Sequence, residues 1–414
     1  MLSYHSLTKS NKRDKRANHA TVHMGDMLRH AYENRYAVAA FDVVSLDFID
    51  GVISAAEAKQ APVIISLAES HFDYYDFELL MSAVVRASQR TFVPVAIHLD
   101  HGQSLESAIT GINLGCTGIM IDTSNQRLED NIRDTKATVE MAHACGIPVE
   151  GELGYVPGVE GEDAERHPGE VIYTTVSEAK TYVDATGVDF LAVSIGTVHG
   201  RMKGEPRLDI NRLKDINLAL NIPLVIHGGT GLTDDQFRQL IANGVTKINY
   251  YTALEDAAGR HIQENIETTD ATGYTSMVKG VSEAIESEAA RCIDLWGSTG
   301  KAKELLTCCK PLKPVAHVIV YNTEGLDSGG VEDMMAEGRR VLATIPGVTE
   351  VFTGHAVQQD AQYKHCWVVR FTDRSVIESY RHHPDHQRFA DECFRPYAGG
   401  RVSIDYEDNS SAKA

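Results

Sequence analysis

From about residue 22 to residue 294 the chain repeats one pattern eight times: a short run rich in Val, Ile and Leu, then a longer stretch with helical spacing. The apolar runs fall at 37–41, 62–67, 94–99, 118–122, 148–153, 189–194, 223–227 and 246–249, with helical patterns such as 47–59, 127–145 and 234–243 between them. Nearly continuous apolar runs suit parallel strands that are covered on both faces. Several open on a proline, as at Pro148 and Pro223, where the missing N–H does not break a ladder. Eight strand-then-helix units joined by right-handed crossovers close most economically into a (β/α)8 TIM barrel. An open doubly wound sheet is the alternative, but no Gly-rich dinucleotide loop follows the first strand.

The ends of these runs carry the chemistry. His101 follows the third strand, preceded by Asp100; His199 lies just past the sixth, in Gly196-Thr197-Val198-His199-Gly200; His227 closes the seventh and opens Gly228-Gly229-Thr230-Gly231. Strand ends of a barrel share one rim, so these distant residues converge there. A single loop histidine reads as a hydrogen-bonding residue, but three imidazoles on one rim suggest a catalytic zinc with an open position. His98, inside its strand, reads as structural. The loop after Glu150-Gly151-Glu152 is long, acidic and punctuated by glycine, and it carries Glu160, placed to deliver a base to the rim. Gly200 to Lys203, Gly228 to Thr230, and Asn249-Tyr250-Tyr251-Thr252 are turns at the late strands, where barrels commonly cradle phosphate.

These motifs resemble the zinc-dependent class II aldolases, in the branch that acts on ketose bisphosphates. The matching pieces run in order through Tyr36 to Phe41, Ile97-His98-Leu99-Asp100-His101, Met120-Ile121-Asp122, Glu152-Leu153-Gly154, Leu191 to Gly200 and Lys247-Ile248-Asn249. The resemblance implies zinc ligands at His101, His199 and His227, with Asp122 and Glu152 at positions that hold a second or alternative metal in some members. It implies a proton-donating Asp100, a mobile-loop base at Glu160, and phosphate contacts from Gly200, Lys203, Gly228, Gly229, Thr230, Asn249, Tyr250, Tyr251 and Thr252. The implied reaction is reversible cleavage of a phosphorylated ketose to dihydroxyacetone phosphate and an aldehyde through a metal-stabilised enediolate, with a monovalent cation as a further candidate cofactor. Some positions depart from the branch: Asp42 and Ser45 where asparagine is usual, Ala68-Glu69 where a small hydroxyl residue is expected, Pro157-Gly158 for Gly-Gly, Glu160-Gly161-Glu162 for Glu-Asp-Asp, and Tyr251 for a small residue or aspartate. Extra acid near a second phosphate costs about 1 kcal/mol or more. The expected substrate is therefore not the standard hexose bisphosphate, and a ketose 1-phosphate fits. A metal-assisted hydrolase and a non-catalytic sugar-phosphate sensor are the competing readings of the same barrel.

After the barrel, the stretch from Trp296 to Pro314 mixes Gly, Ser, Lys and two prolines, and 296–313 reads as a linker. A strand at 316–321, a helix at 331–344, strands at 348–355 and 366–371, a helix from 373 and a strand at 402–406 follow, an α+β order typical of a small ferredoxin-like domain over 314–407. Tyr380-Arg381-His382-His383-Pro384-Asp385-His386 and the closing strand resemble the stress-responsive dimeric α/β-barrel family. One plant member of that family is a polyketide cyclase whose catalytic tyrosine and histidine align with Tyr380 and His386. A dimerisation or ligand-docking module is the expectation here, and with it a homo-oligomer, dimer or tetramer.

The first twenty residues are a basic arm, with Lys9, Lys12, Arg13, Lys15 and Arg16 against Asp14, and 408–414 is a short tail. The formal net charge of −19 argues against general binding to nucleic acid or anionic membranes. The arm lacks the apolar core of a signal peptide, and no run reaches the roughly 18 apolar residues of a membrane span. Seven scattered cysteines without a CxxC pair fit free thiols in a reducing cytoplasm.

Overall fold

The computed structural model describes residues 21–159, 161–166, 171–201, 206–269 and 272–407. Glu160, Lys203, the basic arm and the tail from 408 onward therefore lie outside the described residues. Strands β1 (Val38–Asp42), β2 (Val63–Ala68), β3 (Val95–Gly102), β4 (Gly118–Ile121), β5 (Val149–Leu153), β6 (Phe190–Val193), β7 (Leu224–Ile226) and β8 (Val245–Tyr250) pair in sequence order, all parallel. β8 returns to β1, with Ala40 beside Asn249, and closes the barrel.

Strand parity sorts the core into two clusters. Outward residues such as Phe41, Ile65, Leu67, Ile97 and Leu99 pack beneath the ring of helices. Inward ones, Val38, Ala40, Ile64, Ala96, Phe190, Ala192 and Val225, meet Met24, Met27 and Leu28 of the helix Met24–Asn34. That helix plugs the amino-terminal end of the barrel. The alanines make room for it, and at Gly118 an added Cβ would sit 2.3 Å from the Met24 methyl. Each of these large side chains leaves water entirely, worth about 1.5–3 kcal/mol apiece. Stability is thus concentrated at the closed end, leaving the other rim to carry polar groups.

The stretch expected as a linker is packed structure at its start. Trp296 is 1% exposed and lies against Phe41, Phe237 and Tyr250, while Ala302–Cys308 forms a helix whose Leu305 joins the barrel plug. Its Gly, Ser and Lys content masked one buried tryptophan, and burial of that ring decides the local structure.

Beyond it lie β9 (Val315–Thr323), β10 (Val348–His355), β11 (His365–Phe371) and β12 (Ala398–Glu407), an antiparallel sheet in the order β10-β11-β9-β12. Helix Ser328–Leu342 and the helices from Val376 to Phe389 cover one face, burying Tyr321, Trp367, Val369 and Phe371. On the other face Phe352, Val402, Ile404 and Tyr406 are exposed. The domain is pinned to the barrel's amino-terminal end: Asn113 donates to the carbonyls of Ala343 and Ile345 and accepts from Gly347 N–H, and Ser375 donates to the Cys145 carbonyl. Asn113 and Cys145 precede β4 and β5, so this contact lies opposite the histidine-bearing rim.

Candidate active site

Above the apolar plug the barrel interior turns polar. The inward positions of β3, β5 and β8 supply His98, Asp100, Glu150, Lys247 and Asn249, all 2% exposed or less. Buried charges persist only when paired. Lys247 Nζ lies 2.9 Å from Glu150 Oε2 and donates to Asn249 Oδ1 at 2.7 Å. Asn249 Nδ2 donates to both Asp100 oxygens, at 2.8 and 2.9 Å. The other oxygen of Glu150, Oε1, faces His227 Nε2 at 3.0 Å. His98 sits among Ser66, Asp100 and Glu150, with its pKa lowered to about 3 by burial and by Lys247, so it is a neutral structural ring.

The three rim histidines do converge. Ring centroids lie 4.6 Å apart for His101 and His227, 5.1 Å for His101 and His199, and 5.8 Å for His199 and His227. His227 Nδ1 faces His101 Nε2 at 2.9 Å. Their far nitrogens are held by carboxylates: His101 Nδ1 by Asp122 at 2.7 Å and His227 Nε2 by Glu150. Carboxylates on the distal nitrogens fix ring orientation and leave the near lone pairs aimed at a shared point. One ligand atom from each of the three rings falls within 4.8 Å of the others.

His101 reaches this point through a local irregularity. Between Leu99 and Gly102 the β3–β4 register shifts, because β3 carries one extra residue there. His101 takes φ 48°, in the left-handed region that a residue with a Cβ seldom adopts. A regular strand would send Asp100 and His101 to opposite faces. With the extra residue both reach the rim, His101 Nε2 lying 4.0 Å from Asp100 Oδ2.

The electrostatics divide the ionisable groups by state. Burial alone would raise the Asp100 pKa, but the His101 and His227 rings and Lys247 outweigh it and hold the carboxyl well below the usual range. The group is therefore a carboxylate at rest. Burial likewise opposes ionisation of Asp122, yet its bonds to His101 and Ser124 hold it down. Glu152 moves the other way, raised well above its ordinary value by burial and by the neighbouring Asp122. For His101, burial is outweighed by Asp100 and Asp122, which raise it well above the usual imidazole value; a proton must leave before this ring can ligate. His227 is lowered, chiefly by burial, and is in the ligating neutral form.

The late-strand turns lie on the same rim. Gly228 (φ 69°) approaches β6's loop so closely that a Cβ would stand 2.1 Å from the Val198 carbonyl oxygen; Gly229 and Thr230 complete that turn. Gly158 (φ 105°) packs closely against the His199 carbonyl, which docks the acidic loop beside a rim histidine. Gly200 sits under the same loop. Past Glu160, the Gly161 N–H donates to Thr252 Oγ1 at 3.1 Å and its carbonyl accepts from Arg201 at 2.5 Å. Arg201 in turn pairs with Asp256. Two members of the predicted phosphate set turn their side chains elsewhere. Tyr250 points into the helical layer, bonding Glu288 and packing on Trp296, and Tyr251 packs on His71 and Phe48. The Asn249 side chain orients Asp100.

Sequence reasoning passed over Glu150 and Lys247 as site residues. Their signal was parity: Glu150 with Glu152, and Lys247 with Asn249, occupy alternate inward positions of otherwise apolar strands. A cavity of about 420 Å³ opens beside His101, His199 and Asp122, on the side of the loops that follow β2 to β5.

Comparison with known proteins agrees with this geometry. The sequence profile of class-II fructose-bisphosphate aldolases matches residues 22–301, and that of the stress responsive A/B barrel domain matches 315–408. The chain is 37% identical over 289 residues to the fructose-bisphosphate aldolase of Geobacillus stearothermophilus, covering 68% of this chain and 99% of that protein. A probable fructose-bisphosphate aldolase of Bacillus subtilis is 38% identical over 248 residues, covering 59% of this chain and 86% of that protein. Among solved structures, the YdjI aldolase of Escherichia coli K12 superposes with a TM-score of 0.61 at 34% identity, covering 68% of this chain and 99% of the other. The closed barrel, its trio of rim histidines and these matches place the chain in the class II aldolase family, whose members are generally zinc-dependent, with a stress responsive A/B barrel domain at its carboxyl end.

Proposed function

We propose that the chain cleaves a phosphorylated ketose reversibly to dihydroxyacetone phosphate and an aldehyde, with zinc held by His101, His199 and His227. The observation that carries this is the pair of imidazole nitrogens facing each other at 2.9 Å while their far nitrogens rest on Asp122 and Glu150. A nitrogen donor set completed by His199 suits zinc, and the carboxylates behind it are the usual orienting partners. Lewis-acid polarisation of the ketose carbonyl is the chemistry a bound zinc supplies there. Asp122 and Glu152, with His101, form a second group able to hold a metal, and they are the alternative ligands.

The residues of the chain handle the protons. Asp100, ionised and oriented by Asn249, takes the proton of the substrate hydroxyl as the carbon–carbon bond breaks, and returns it in the condensation direction. Glu160 exchanges the proton at C3. The neighbouring Gly161 bonds to Thr252 and Arg201. The backbone of Gly200, Gly228, Gly229 and Thr230, the segment from Asn249 to Thr252, and Lys203 receive the phosphate. The exposed apolar face of the carboxyl-terminal sheet, Phe352, Val402, Ile404 and Tyr406, supports pairing with a second copy. Seven unpaired cysteines support a reducing cytoplasm as the setting.

Metal analysis of the purified protein, followed by enzymatic trapping of dihydroxyacetone phosphate from a panel of ketose phosphates, tests this reading. Close to one zinc per chain and release of the triose phosphate are expected. Full turnover after chelation would sink it, and phosphate release without a triose would point to hydrolysis.

A further inference from the structure

The barrel mouth has two unlike arcs. His101, His199 and His227 come from β3, β6 and β7, so a substrate held there lies across the mouth. The late turns, on the arc after β6 to β8, are rich in glycine and backbone N–H groups. The opposite arc, after β2 to β5, opens into the 420 Å³ cavity. Its polar walls are Ser70, Gln103, Thr123, Asn125, Gln126 and Tyr155. Every one of these is an uncharged hydroxyl or amide. Among the described residues the lining includes no Lys or Arg, and apart from the rim histidines its one ionisable group of fixed sign is the Asp122 carboxylate.

The two helices that start beside this cavity have acids at their starts. Glu69 accepts from the Gln103 N–H at 2.9 Å and from Ser107 Oγ at 2.8 Å, which sets a carboxylate beside the Ser104-capped start of helix Leu105–Leu114. The first turn of helix Leu128–Ala144 carries Glu129 and Asp130. Beyond the rim, a phosphate in this cavity would find no Lys or Arg among the described lining residues to balance it, whereas amides and hydroxyls suit an array of sugar hydroxyls.

We infer that this chamber binds the aldehyde-derived half of the substrate as an uncharged, polyhydroxylated chain, and that the enzyme acts on a ketose 1-phosphate in preference to a ketose bisphosphate. Gln103, Asn125 and Gln126 are the specificity-determining residues. This rests on the aldolase reading above, and the test separates the two.

The zinc-loaded full-length protein is assayed for dihydroxyacetone phosphate release from matched pairs of hexulose 1-phosphates and hexulose 1,6-bisphosphates, covering the C3 and C4 stereoisomers. The best 1-phosphate is expected to exceed its bisphosphate partner in kcat/KM by at least about tenfold, a difference of about 1.4 kcal/mol. Equal turnover, or a preference for the bisphosphate, overturns the inference and leaves the aldolase assignment standing. Release from neither class in any isomer removes both. As a second measurement, Asn125→Lys should shift the ratio of bisphosphate to monophosphate kcat/KM upward by at least about tenfold by placing an ammonium in the chamber. An unchanged ratio in a variant that still cleaves the 1-phosphate counts against a substrate end lying there.

Discussion

Two histidine pairs in this molecule look alike at short range. At the barrel rim His101 and His227 face each other at 2.9 Å; at the edge of the carboxyl-terminal sheet His355 and His365 face each other at 3.0 Å. Both pairs have a far nitrogen held by a carboxylate, Asp122 and Glu150 in the first case and Glu332 in the second. The difference lies in what surrounds them. His355 and His365 are direct neighbours across one antiparallel ladder, and the His355 side chain is 48% exposed. The rim pair joins β3 to the far side of the barrel, is joined by His199, and rests on a buried layer of paired charges. Among the described residues, metal-capable groups of three or more gather at the rim and not at the sheet edge. A facing pair is a local event; a chelate needs a closed architecture that brings a third strand.

The comparison breaks most visibly if the third ring does not matter. His199→Ala should lower bound zinc sharply and cut kcat/KM by at least about 10³, since Lewis-acid stabilisation is worth several kcal/mol; metal content and triose release measured together check it. Next in size, Asp100→Asn should retain the metal yet lose about 10²–10⁴ in kcat, the range of a positioned proton carrier. Loss of zinc in that variant would show that the acid helps hold the ion instead.

A third variant probes the buried layer. Lys247→Met leaves Glu150 buried without its cation and should cost about 3–5 kcal/mol in denaturant unfolding, with much of it recovered by adding Glu150→Gln. Against the upward push of burial, Lys247 and His227 hold the Glu150 pKa at about 2. A depressed carboxyl stabilises the fold in full above its ordinary pKa and loses that contribution as pH falls toward the folded value. The deficit of Lys247→Met relative to the parent should therefore be constant near neutrality and shrink in acid. The smallest effect is expected at the other pair: His355→Ala should change stability by less than about 1 kcal/mol and leave barrel activity intact. A loss of one zinc per chain in that variant would erase the contrast between the two pairs.

The barrel and the rim histidines were legible because both depend on short-range signals. Runs of Val, Ile and Leu mark covered parallel strands, and the converging histidines sit directly at their ends, as at Asp100-His101 and His227-Gly228. The polar layer beneath was not read as one unit because Glu150, Lys247 and Asn249 lie on strands that only closure brings together. For the same reason the side-chain placements of Asn249 and Tyr250 were not legible: one orients Asp100 and the other packs on Trp296. Glu69 stood out as a departure from a family pattern, but its hold on the Gln103 N–H after β3 depends on β2 and β3 being neighbours. Trp296 shows the converse: composition suggested an open connector, and a single ring with three aromatic neighbours made it core.

The left-handed turn at His101 limits how this site can change. Only Asp100 and His101 stand between Leu99 and Gly102, so restoring the regular register by removing one residue would cost the mouth one of these two side chains. Under the proposed roles of proton carrier and metal ligand that spacing is fixed, while side chains elsewhere on the rim are at liberty to change with the substrate.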